Sequence, residues 1–512
     1  MSVYIKNVIL LAFLFYILAT LSGCSDEKGP TVPASTKLPT QVSIQRNQEI
    51  RVGMLSFSPA PKIFFSITRG VFDMKFGVDI AAAHSGFPGQ VWHVEVREEK
   101  FLRLVDQDGR FYDVPQEYIA VQPADEAAEG GHIAIGDDKQ NVRPYRGKFE
   151  ITIENKRLIA INVVKMEEYL LGVVPAEMPP TWPSEALKAQ AVAARSYAYF
   201  NIGRFAYRKF DLADTVVSQA YGGVYGETEA TTNAVVDTEG EVVTYSGNLA
   251  NTLYHSTCGG GTASAADLFA KSPGEKVVIW SKEKGNVGIV AEVHNPEGDI
   301  PYLIVTDDMS PWDFDYCKDS PYYRWHRSYT MEQLREALAN SIHTDPGNRL
   351  SSIDIASADP SGWVRYIFIS GERDQTARGS EFRGALNKYL ENNALPSQNF
   401  EMKYRSGGYD FSGKGFGHGI GMCQWGAKGR AEDGVGYVNI IIHYYPGCEI
   451  TEIPYAGGLN FFRDEDFFFM GERQRKSDEV IGLGKDYIPP EQLEPEGESV
   501  SGGDISDEGA GE

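Results

Sequence analysis

The sequence predicts an α+β protein in which a strand-rich N-terminal region precedes a mixed α/β core. From Glu49 to about Val121, short runs such as EIRVGML, VWHVEVR and FLRLVD alternate apolar and polar residues between Gly, Pro and Asp turns. This period of two is typical of half-buried strands. From Ser184 to Phe205, apolar residues recur at spacings of three and four, which predicts a helix with one apolar face.

The composition indicates a globular protein and argues against one class of partner. The chain has 512 residues, of which 42% are hydrophobic, as in proteins with a packed core, and this length allows two to four domains. The formal net charge is -23, and the sequence contains no dense Lys/Arg cluster. Because nucleic-acid binders usually present a basic face, no nucleic-acid partner is expected.

The first 24 residues, MSVYIKNVILLAFLFYILATLSGC, predict export. The apolar run from Val8 to Leu21 is short for a membrane span and ends in small residues, as export signals do. The ending Leu-Ser-Gly-Cys resembles the lipobox of bacterial lipoproteins, although a generic signal peptide with an incidental cysteine is the alternative. We therefore predict a lipoprotein signal peptide over residues 1–23, lipidation of Cys24 and a flexible tether over 24–47. Acyl chains would anchor the extracytoplasmic protein to a membrane of the cell envelope.

The rest of the chain divides by pattern into three predicted parts. These are a β-rich region over residues 48–150, a core domain over 151–455 and a C-terminal tail over 456–512. The tail is acidic and poor in apolar residues, which predicts that it is largely disordered.

Several elements of the core are predicted in chain order. YRGKFEITIENKRLIAINVV predicts two strands around an Asn-centred turn, and VVTYSGNLAN predicts two strands around a Gly-Asn turn. Residues 328–343 predict an amphipathic helix, WVRYIFISG a strand, and SEFRGALNKYL and YVNIIIHYYPG two further helices. The loop GKGFGHGIGMCQWGAKGRAEDG is so rich in glycine that its backbone must approach something closely.

Glu177 occupies an unusual place in the stretch VVPAEMPPTWPSEALKAQ. The apolar run before it is predicted to be the end of a strand, prolines follow it, and the predicted helix begins at Ser184. An apolar wall of residues such as Val174, Met178 and Trp182 would raise the pKa of a carboxyl group held at this break. The alternative is that Glu177 only caps or pairs with the following helix.

Six blocks in order carry a family resemblance: YLLGVVPAEMPPTWPSEALKAQAVAARSYAY, LYHSTCGGGTASA, CKDSPYYRW, GSEFRGAL, GFGHGIGMCQWGAKGRA and IIIHYYPGCEI. Across roughly residues 48–455 the chain resembles the SpoIID/LytB family of bacterial cell-wall proteins, whose sporulation members are lytic transglycosylases. The resemblance implies an elongated α+β protein with a substrate cleft, acting on peptidoglycan glycan strands outside the cytoplasm.

The resemblance also implies roles for individual residues. Glu177 matches the family's catalytic acid in its Glu-Met-Pro motif. The predicted substrate contacts lie on the helix after Glu177, in the His-Ser-Thr loop and in the Gly-rich loop: Lys188, Arg195, His255, Ser256, Thr257, His418 and Gln424. For Lys188 and Arg195 a structural role is the alternative. For His418, bracing of its loop is favoured over a role as ligand or base, because dense glycines imply tight backbone packing.

The number of carboxylates bears on the chemistry. Glycoside hydrolases use two, whereas the sequence offers one convincing candidate, Glu177. In a lytic transglycosylase one suffices, because the C6 hydroxyl of N-acetylmuramic acid attacks its own anomeric carbon and yields a 1,6-anhydro product. The alternative is a non-catalytic peptidoglycan-binding enhancer of a cell-wall amidase, as the LytB branch implies. A zinc amidase is less favoured, because the sequence lacks a convincing His/Glu ligand set.

Four cysteines after Cys24 leave alternatives open: Cys258, Cys317, Cys423 and Cys448. In an exported protein they allow two disulfides, among them a Cys258–Cys317 pair. A structural zinc near His255 and Cys258 is the other alternative, since some members of the family carry one near this loop, but the spacing alone is a weak zinc pattern. No cofactor is therefore predicted.

Overall fold

A computed structural model describes eight stretches of the chain: residues 40–77, 83–115, 117–124, 131–245, 247–263, 315–359, 361–390 and 393–463, with short pieces at 268, 280–281 and 286–287. The predicted signal peptide, Cys24, and most of the predicted tether and tail lie outside these residues. Among the helices of the described residues, none is both long and apolar enough to cross a membrane.

The described residues contain seven α-helices. They are α1 (Met166–Glu177), α2 (Ser184–Phe200), α3 (Glu229–Asp237), α4 (Met331–Leu338), α5 (Gly379–Tyr389), α6 (Gln424–Glu432) and α7 (Tyr437–Tyr444).

The first fourteen strands are β1 (Thr40–Ile44), β2 (Glu49–Gly53), β3 (Lys62–Ile67), β4 (Phe72–Phe76), β5 (His84–Gly86), β6 (Val91–Arg97), β7 (Phe101–Val105), β8 (Phe111–Val114), β9 (Tyr118–Pro123), β10 (Ile133–Asp138), β11 (Asn141–Tyr145), β12 (Lys148–Glu154), β13 (Arg157–Lys165) and β14 (Leu212–Ala213). The others are β15 (Glu241–Tyr245), β16 (Asn248–Leu249), β17 (Tyr254–His255), β18 (Trp280–Ser281), β19 (Asn286–Val287), β20 (Trp325–Thr330), β21 (Leu350–Ala358), β22 (Val364–Gly371), β23 (Gln375–Arg378), β24 (Phe400–Arg405), β25 (Gly408–Gly413), β26 (Met422–Cys423), β27 (Glu449–Glu452) and β28 (Leu459–Arg463).

Together these elements confirm the predicted α+β class. Two large sheets, in the orders β11-β10-β3-β6-β7-β8 and β14-β2-β13-β12-β9-β4-β5, contain most of the N-terminal strands. The predicted Asn-centred hairpin is β12–β13, whose turn residues Asn155 and Lys156 have positive φ. The predicted strand pair after it is β15–β16, and the predicted strand WVRYIFISG contains β22. The elongated shape of the protein and its substrate cleft remain predictions.

Hydrogen bonding between strands crosses one of the predicted domain boundaries, which remain predictions. Strand β12 crosses the boundary at residues 150/151 and is hydrogen-bonded to β9 on one side and β13 on the other. The predicted N-terminal region and core therefore share one sheet. In addition, β1 lies in the predicted tether and β28 in the predicted disordered tail, yet the two pair in register from Thr40↔Arg463 to Ile44↔Leu459. Ile44 and Phe461 are fully buried, and this burial explains why both strands are ordered.

The predicted strand before Glu177 is wrong, because this segment is helix α1. Pro175 lies inside the helix, and Glu177 is its last residue rather than a residue between two elements. The helix ends there because Met178 adopts an extended conformation, with φ -134° and ψ 137°.

Helix α2 is buried on nearly all sides. Every residue from Ala189 to Phe200 is buried, which corrects the prediction of a single apolar face, since a helix with one face shows alternating exposure. Its alanines allow neighbouring elements to approach closely. The helix ends at Phe200 and not at Phe205, because the side-chain amide of Asn201 binds the Tyr197 carbonyl (2.8 Å) and the chain then turns.

Two large hydrophobic clusters lie among the described residues, besides a small one that includes Ile161 and Phe210. The larger, here called the site core, includes residues from both large sheets, α1, α2, α6 and α7, and extends from Ile44 to Phe461. The second, here called the aromatic lobe, lies within residues 325–411 and includes Trp325, Phe382 and Phe411. The lobe contains α4 and α5, which confirm the predicted helices there, although α4 is shorter than the predicted 328–343.

Candidate functional site

The carboxylate of Glu177 is held between two loops at the end of α1. Its Oε1 accepts a hydrogen bond from the backbone N–H of Ala220 (2.7 Å). Its Oε2 accepts one from the side-chain amide of Gln424 (3.3 Å), and the same amide donates to the Glu177 carbonyl (3.1 Å). Glu177 is half-buried, beside the buried Met178. The side chain is therefore oriented by two donors from distant parts of the chain while keeping some contact with solvent.

Two Gly-rich loops meet next to Glu177. Strand β17 pairs in parallel with β26, which places His255 opposite Cys423 and directs the chain from there into Gln424. Close contact requires glycine at two positions. A Cβ at Gly419, where φ is +81°, would overlap the Trp363 ring, and one at Gly421 would overlap the Leu253 carbonyl. The predicted close approach of this loop is thus to the chain's own backbone and rings.

His255 and His418 both bind the backbone of Ile420. The Nδ1 of His255 lies 3.1 Å from the Ile420 carbonyl oxygen and acts as donor, whereas the Nδ1 of His418 accepts the Ile420 N–H (3.1 Å). Burial lowers the pKa of His255 to about 3 and that of His418 to about 4, so both rings are neutral near pH 7. This geometry supports the predicted bracing by His418. Within the described residues, Nε2 of His255 has no hydrogen-bond partner.

Comparisons with known proteins identify the family of this chain. A sequence profile described as stage II sporulation protein (SpoIID) matches residues 154–245. The chain is 30% identical over 312 residues to stage II sporulation protein D of Bacillus amyloliquefaciens, a match that covers 57% of this chain and 76% of that protein. The chain belongs to the SpoIID/LytB family.

Two further relatives and a second profile extend the comparison. The chain is 34% identical over 310 residues to an uncharacterized protein of Brachyspira hyodysenteriae, covering 60% of this chain and 72% of that protein. It is 31% identical over 293 residues to the amidase enhancer of Bacillus subtilis, covering 55% of this chain and 40% of that protein. A profile for a domain of unknown function, DUF8618, matches residues 307–421 and so overlaps the aromatic lobe of this SpoIID-family chain.

The structure corrects the predicted role of Arg195. Its side chain is fully buried and forms a two-pronged ion pair with Glu167, with nitrogen–oxygen distances of 2.8 and 2.7 Å. Its Nη1 donates to the carbonyl of Glu241 (3.2 Å), and Nη2, which also binds Glu167, donates to the carbonyl of Val235 (3.3 Å). The Arg195 guanidinium therefore links α1, α2 and α3. Because it has no exposed surface, it cannot contact a glycan.

Lys188 lies on the α3 side of α2. Its Nζ is 3.0 Å from Asp237 and 3.6 Å from Glu185. The hydrogen bond to Asp237 raises the pKa of Lys188, so the ammonium group is charged. A substrate contact for Lys188 remains a prediction and would require the group to leave these carboxylates.

The two hydroxyl residues after His255 differ in exposure. Thr257 is fully buried and its hydroxyl is 2.6 Å from that of Ser320, which corrects its prediction as a substrate contact. Ser256 is half-buried, and its carbonyl accepts the Trp425 N–H (3.0 Å). Ser256 is therefore the member of the pair that remains a predicted substrate contact.

Gln424 belongs to a polar network that the sequence analysis did not recognise. The residue is only 6% exposed, and its amide also approaches Oε1 of Gln190 (3.3 Å). Its amide orients Glu177, and a substrate contact for Gln424 remains a prediction. Nearby, the amide nitrogen of Gln219 donates to the Tyr254 hydroxyl (2.9 Å), and its oxygen accepts from Tyr169 (3.2 Å).

The sequence carries little signal for this network. Gln219 and Ala220 lie in the loop SQAYGG, whose glycines predict a turn but no contact with α1. Ala220 contributes only a backbone N–H, which leaves no trace in residue type.

The Tyr254 hydroxyl stays protonated. Burial is the main cause that raises the pKa of Tyr254 well above its ordinary value, and the nearby charge of Glu177 adds to the shift.

The four cysteines from Cys258 onward are all buried, and within the described residues none of them forms a disulfide bond. Cys258 and Cys317 are neighbours, but their sulfurs are 3.6 Å apart, so the predicted disulfide between them is absent from this structure. Cys448 is buried elsewhere, and burial raises the pKa of its thiol to about 12.

Proposed function

We propose that this protein is a lytic transglycosylase that cleaves the β-1,4 bond between N-acetylmuramic acid and N-acetylglucosamine in peptidoglycan. The observation that carries the proposal is the half-buried carboxylate of Glu177, fixed by Ala220 and Gln424 at the junction of two loops. A group oriented in this way is suited to proton transfer, which requires a defined distance to the reacting atom.

The proposed reaction needs a single carboxyl group that acts twice. Glu177 first donates its proton to the glycosidic oxygen, and the bond from that oxygen to the anomeric carbon of N-acetylmuramic acid breaks. The C6 hydroxyl of the same sugar then bonds to the anomeric carbon and gives its proton back to Glu177. No water is consumed, and the new chain end is a 1,6-anhydro sugar.

A second carboxylate near the site is not suited to the role of base. Asp214 lies close enough to Tyr169 to influence its ionisation, as Glu177 does. However, Asp214 is only 5% exposed and its oxygens accept hydrogen bonds from the N–H and hydroxyl of Ser56. A buried carboxylate with these partners cannot activate water for a two-carboxylate mechanism, which favours the transglycosylase over a hydrolase.

Glu177→Gln tests the proposal. The amide keeps the size of the side chain but can neither donate to the glycosidic oxygen as an acid nor accept the hydroxyl proton. Loss of general acid–base catalysis typically costs about 10²–10⁴-fold in rate. Formation of 1,6-anhydro ends, measured by mass spectrometry on intact and peptide-stripped glycan strands, should therefore fall by about this factor, while glycan binding is retained.

Glu185→Gln is the matched control. Oε2 of Glu185 accepts the N–H of Tyr437 at the start of α7 (2.8 Å), away from Glu177. An amide oxygen can still accept this bond, so activity should remain close to that of the wild type. If Glu177→Gln cleaves glycan as fast as the wild type does, Glu177 is not the catalytic acid.

The second candidate function is enhancement of a cell-wall amidase, favoured by the similarity to an amidase enhancer. In that case the protein binds glycan or amidase without cleaving it. The purified protein would then leave no 1,6-anhydro ends by itself but would accelerate an added amidase, and Glu177→Gln would accelerate it equally.

We further propose that the protein is a lipoprotein of the cell envelope, anchored through Cys24. The support is the Leu-Ser-Gly-Cys sequence at the end of the apolar run. Metabolic labelling with a fatty acid should mark the wild-type protein and not Cys24→Ala, and an unlabelled wild type would refute the anchor.

A further inference from the structure

Gln190 is a buried polar residue in α2 that the proposed reaction does not use. Its side chain has no exposed surface, and its neighbours along the helix, Ala189 and Ala191, are fully buried as well. A buried amide destabilises a protein unless its hydrogen bonds are made. The partners of its oxygen and of its nitrogen therefore indicate why a glutamine is present here.

The oxygen of Gln190 faces the side-chain amide of Gln424. Nε2 of Gln424 lies 3.1 Å from the Glu177 carbonyl oxygen, 3.3 Å from Oε2 of the Glu177 carboxylate and 3.3 Å from Oε1 of Gln190. A backbone carbonyl can only accept a hydrogen bond, so Gln424 must present its NH₂ group to Glu177. The atom of Gln190 that meets this NH₂ group must then be the oxygen.

The nitrogen of Gln190 is buried without a protein acceptor. Within the part of the chain that the structure describes, Nε2 of Gln190 has no hydrogen-bond partner. Turning the Gln190 amide over would not help, because two NH₂ groups would then face each other. A buried donor without an acceptor destabilises the folded state, and an apolar side chain of similar length would avoid this. A residue kept at such a position indicates a role other than stability.

Proton transfer by Glu177 changes what the Gln424 amide can bind. Oε1 of Glu177 accepts the shorter hydrogen bond, from the Ala220 N–H (2.7 Å), and Oε2 accepts the longer one, from Gln424 (3.3 Å). Oε2 is therefore the oxygen better suited to carry the proton that is donated to the glycan. While Oε2 carries the proton it is a weaker acceptor, and the Gln424 amide keeps its orientation only if other acceptors hold it.

We propose that Gln190 is a positioning residue for Glu177 that acts through Gln424. Its oxygen accepts an N–H of Gln424 in both protonation states of Glu177, so the Gln424 amide does not turn when the carboxyl group gains or loses its proton. The buried nitrogen of Gln190 lowers stability as a consequence of this arrangement. The inference rests on the proposed function, in which Glu177 transfers a proton.

Gln190→Met tests the inference, because methionine has a similar length but neither the accepting oxygen nor the buried nitrogen. Displacing a reacting group by about 1 Å costs about 100-fold in rate, so kcat for 1,6-anhydro product formation on peptide-stripped glycan strands should fall by about 10- to 100-fold. KM should be unchanged, because Gln190 has no exposed surface with which to touch substrate. The melting temperature should not fall, because the buried donor is removed together with one long hydrogen bond.

Gln219→Met is the matched control for stability. Gln219 is a glutamine that is only 1% exposed, but its amide is fully used. Its nitrogen donates to the Tyr254 hydroxyl (2.9 Å) and the Ala194 carbonyl (3.2 Å), and its oxygen accepts from Tyr169 (3.2 Å). Gln219→Met should therefore lower the melting temperature. If Gln190→Met lowers it as much, and kcat falls only in proportion to the folded fraction, Gln190 is structural and the inference is overturned.

A double-mutant cycle with Gln424→Met tests the route from Gln190 to Glu177. Gln190→Met should lower kcat in the wild-type protein and have little further effect in Gln424→Met, because the two residues act as one unit. Equal fold-changes in the two backgrounds would overturn the inference. If Gln190→Met does not fold, Gln190→Asn takes its place, since the shorter side chain withdraws the oxygen from Gln424.

Glu177→Gln separates this inference from the proposed function. If Gln190→Met retains full kcat while Glu177→Gln is inactive, Gln190 does not position Glu177, and the transglycosylase proposal stands. If Glu177→Gln cleaves glycan as fast as the wild type, the proposed function fails, and the positioning role fails with it.

Discussion

The site core and the aromatic lobe are both well packed, but they are stabilised by different chemistry. In the site core, fully buried Arg195 and Gln190 lie among aliphatic side chains and are joined to polar partners from other elements. In the aromatic lobe, Phe382, Phe400 and Phe411 pack against one another with ring centroids 5.5 to 6.3 Å apart. Both regions combine packing with directional bonds, since the Tyr329 hydroxyl in the lobe donates to the Ala394 carbonyl (3.0 Å), but the site core also contains the buried ion pair of Arg195 with Glu167.

This difference relates to the candidate site. A buried polar group destabilises a protein unless it is hydrogen-bonded, so a polar network survives only where each member is held in position. The side chains of such a network have few alternative conformations. They can therefore hold the Glu177 carboxylate in one orientation. The lobe also holds polar partners, since the Tyr409 hydroxyl accepts the Ile353 N–H (2.8 Å), but the ion pair on its helix α4 is exposed. The site core should therefore tolerate the loss of its buried charge poorly, and the lobe should tolerate the loss of this exposed charge well.

The largest effect on stability is expected for Arg195→Ala. The substitution leaves Glu167, whose side chain is only 13% exposed, without its ionic partner. Removing one member of a buried ion pair typically costs about 3–5 kcal/mol. The free energy of unfolding, measured by denaturant titration, should fall by about this amount.

Arg335→Ala in the lobe is the matched control, because Arg335 forms an exposed ion pair with Glu332 on α4. Surface pairs contribute little, so its stability should stay close to that of the wild type. If Arg195→Ala and Arg335→Ala lose the same free energy of unfolding, the site core and the lobe do not differ in this way.

The two regions also differ in how far the sequence predicts them. The elements of the lobe are predictable from local pattern, since a strand at 364–371 and a helix at 379–389 follow from nearby residues. The site core is not. The α+β class and the central position of Glu177 could be predicted, but its partner Gln424 is 247 residues away. Arg195 illustrates the same limit, because it is predicted as a substrate contact and its partner Glu167 lies in another helix.

Local context also predicts the wrong element at α1. Apolar β-branched residues and a proline after them are typical of a strand end. Burial of Val173 and Val174 in the site core outweighs this tendency, and the segment is helical. Likewise, β1 and β28 stabilise each other across the whole length of the chain, an interaction that no periodicity within either segment indicates.

Asp214 in the site core should have an intermediate effect on the free energy of unfolding, and this effect depends on pH. Burial raises the pKa of Asp214 to about 6, although hydrogen bonds from Ser56 oppose the shift. In the unfolded chain an aspartate ionises near pH 4. The stabilisation associated with protonated Asp214 is thus fully present below about pH 4 and lost as the pH rises through about 6.

Asp214→Asn removes this titration. A shift of about 2 pKa units corresponds to about 3 kcal/mol, so the stability of the variant relative to the wild type should increase by about 2–3 kcal/mol between pH 4 and pH 7. The measurement is the free energy of unfolding of both proteins across this range. A constant difference between them would show that Asp214 titrates alike in the folded and unfolded states.

The smallest effect is expected for a pair of helix caps, one in each region. Thr330 caps α4 in the lobe, since its hydroxyl accepts the Gln333 N–H (3.2 Å). Thr228 caps α3 beside the site core, where its hydroxyl accepts the Thr231 N–H (3.3 Å). Replacing either threonine with alanine should cost about 0.5–2 kcal/mol of stability.

The two caps should differ in their effect on the reaction. Helix α3 presents the Val235 carbonyl to Arg195, so fraying of α3 should disturb the helices that carry Glu177. Thr228→Ala should therefore lower the rate of 1,6-anhydro product formation as well as stability. Thr330→Ala should lower stability alone, because α4 packs within the lobe. Parallel assays of unfolding and glycan cleavage measure both quantities. If Thr330→Ala slows cleavage as much as Thr228→Ala does, the lobe and the site core act as one cooperative unit, and the difference in their chemistry does not separate stability from activity.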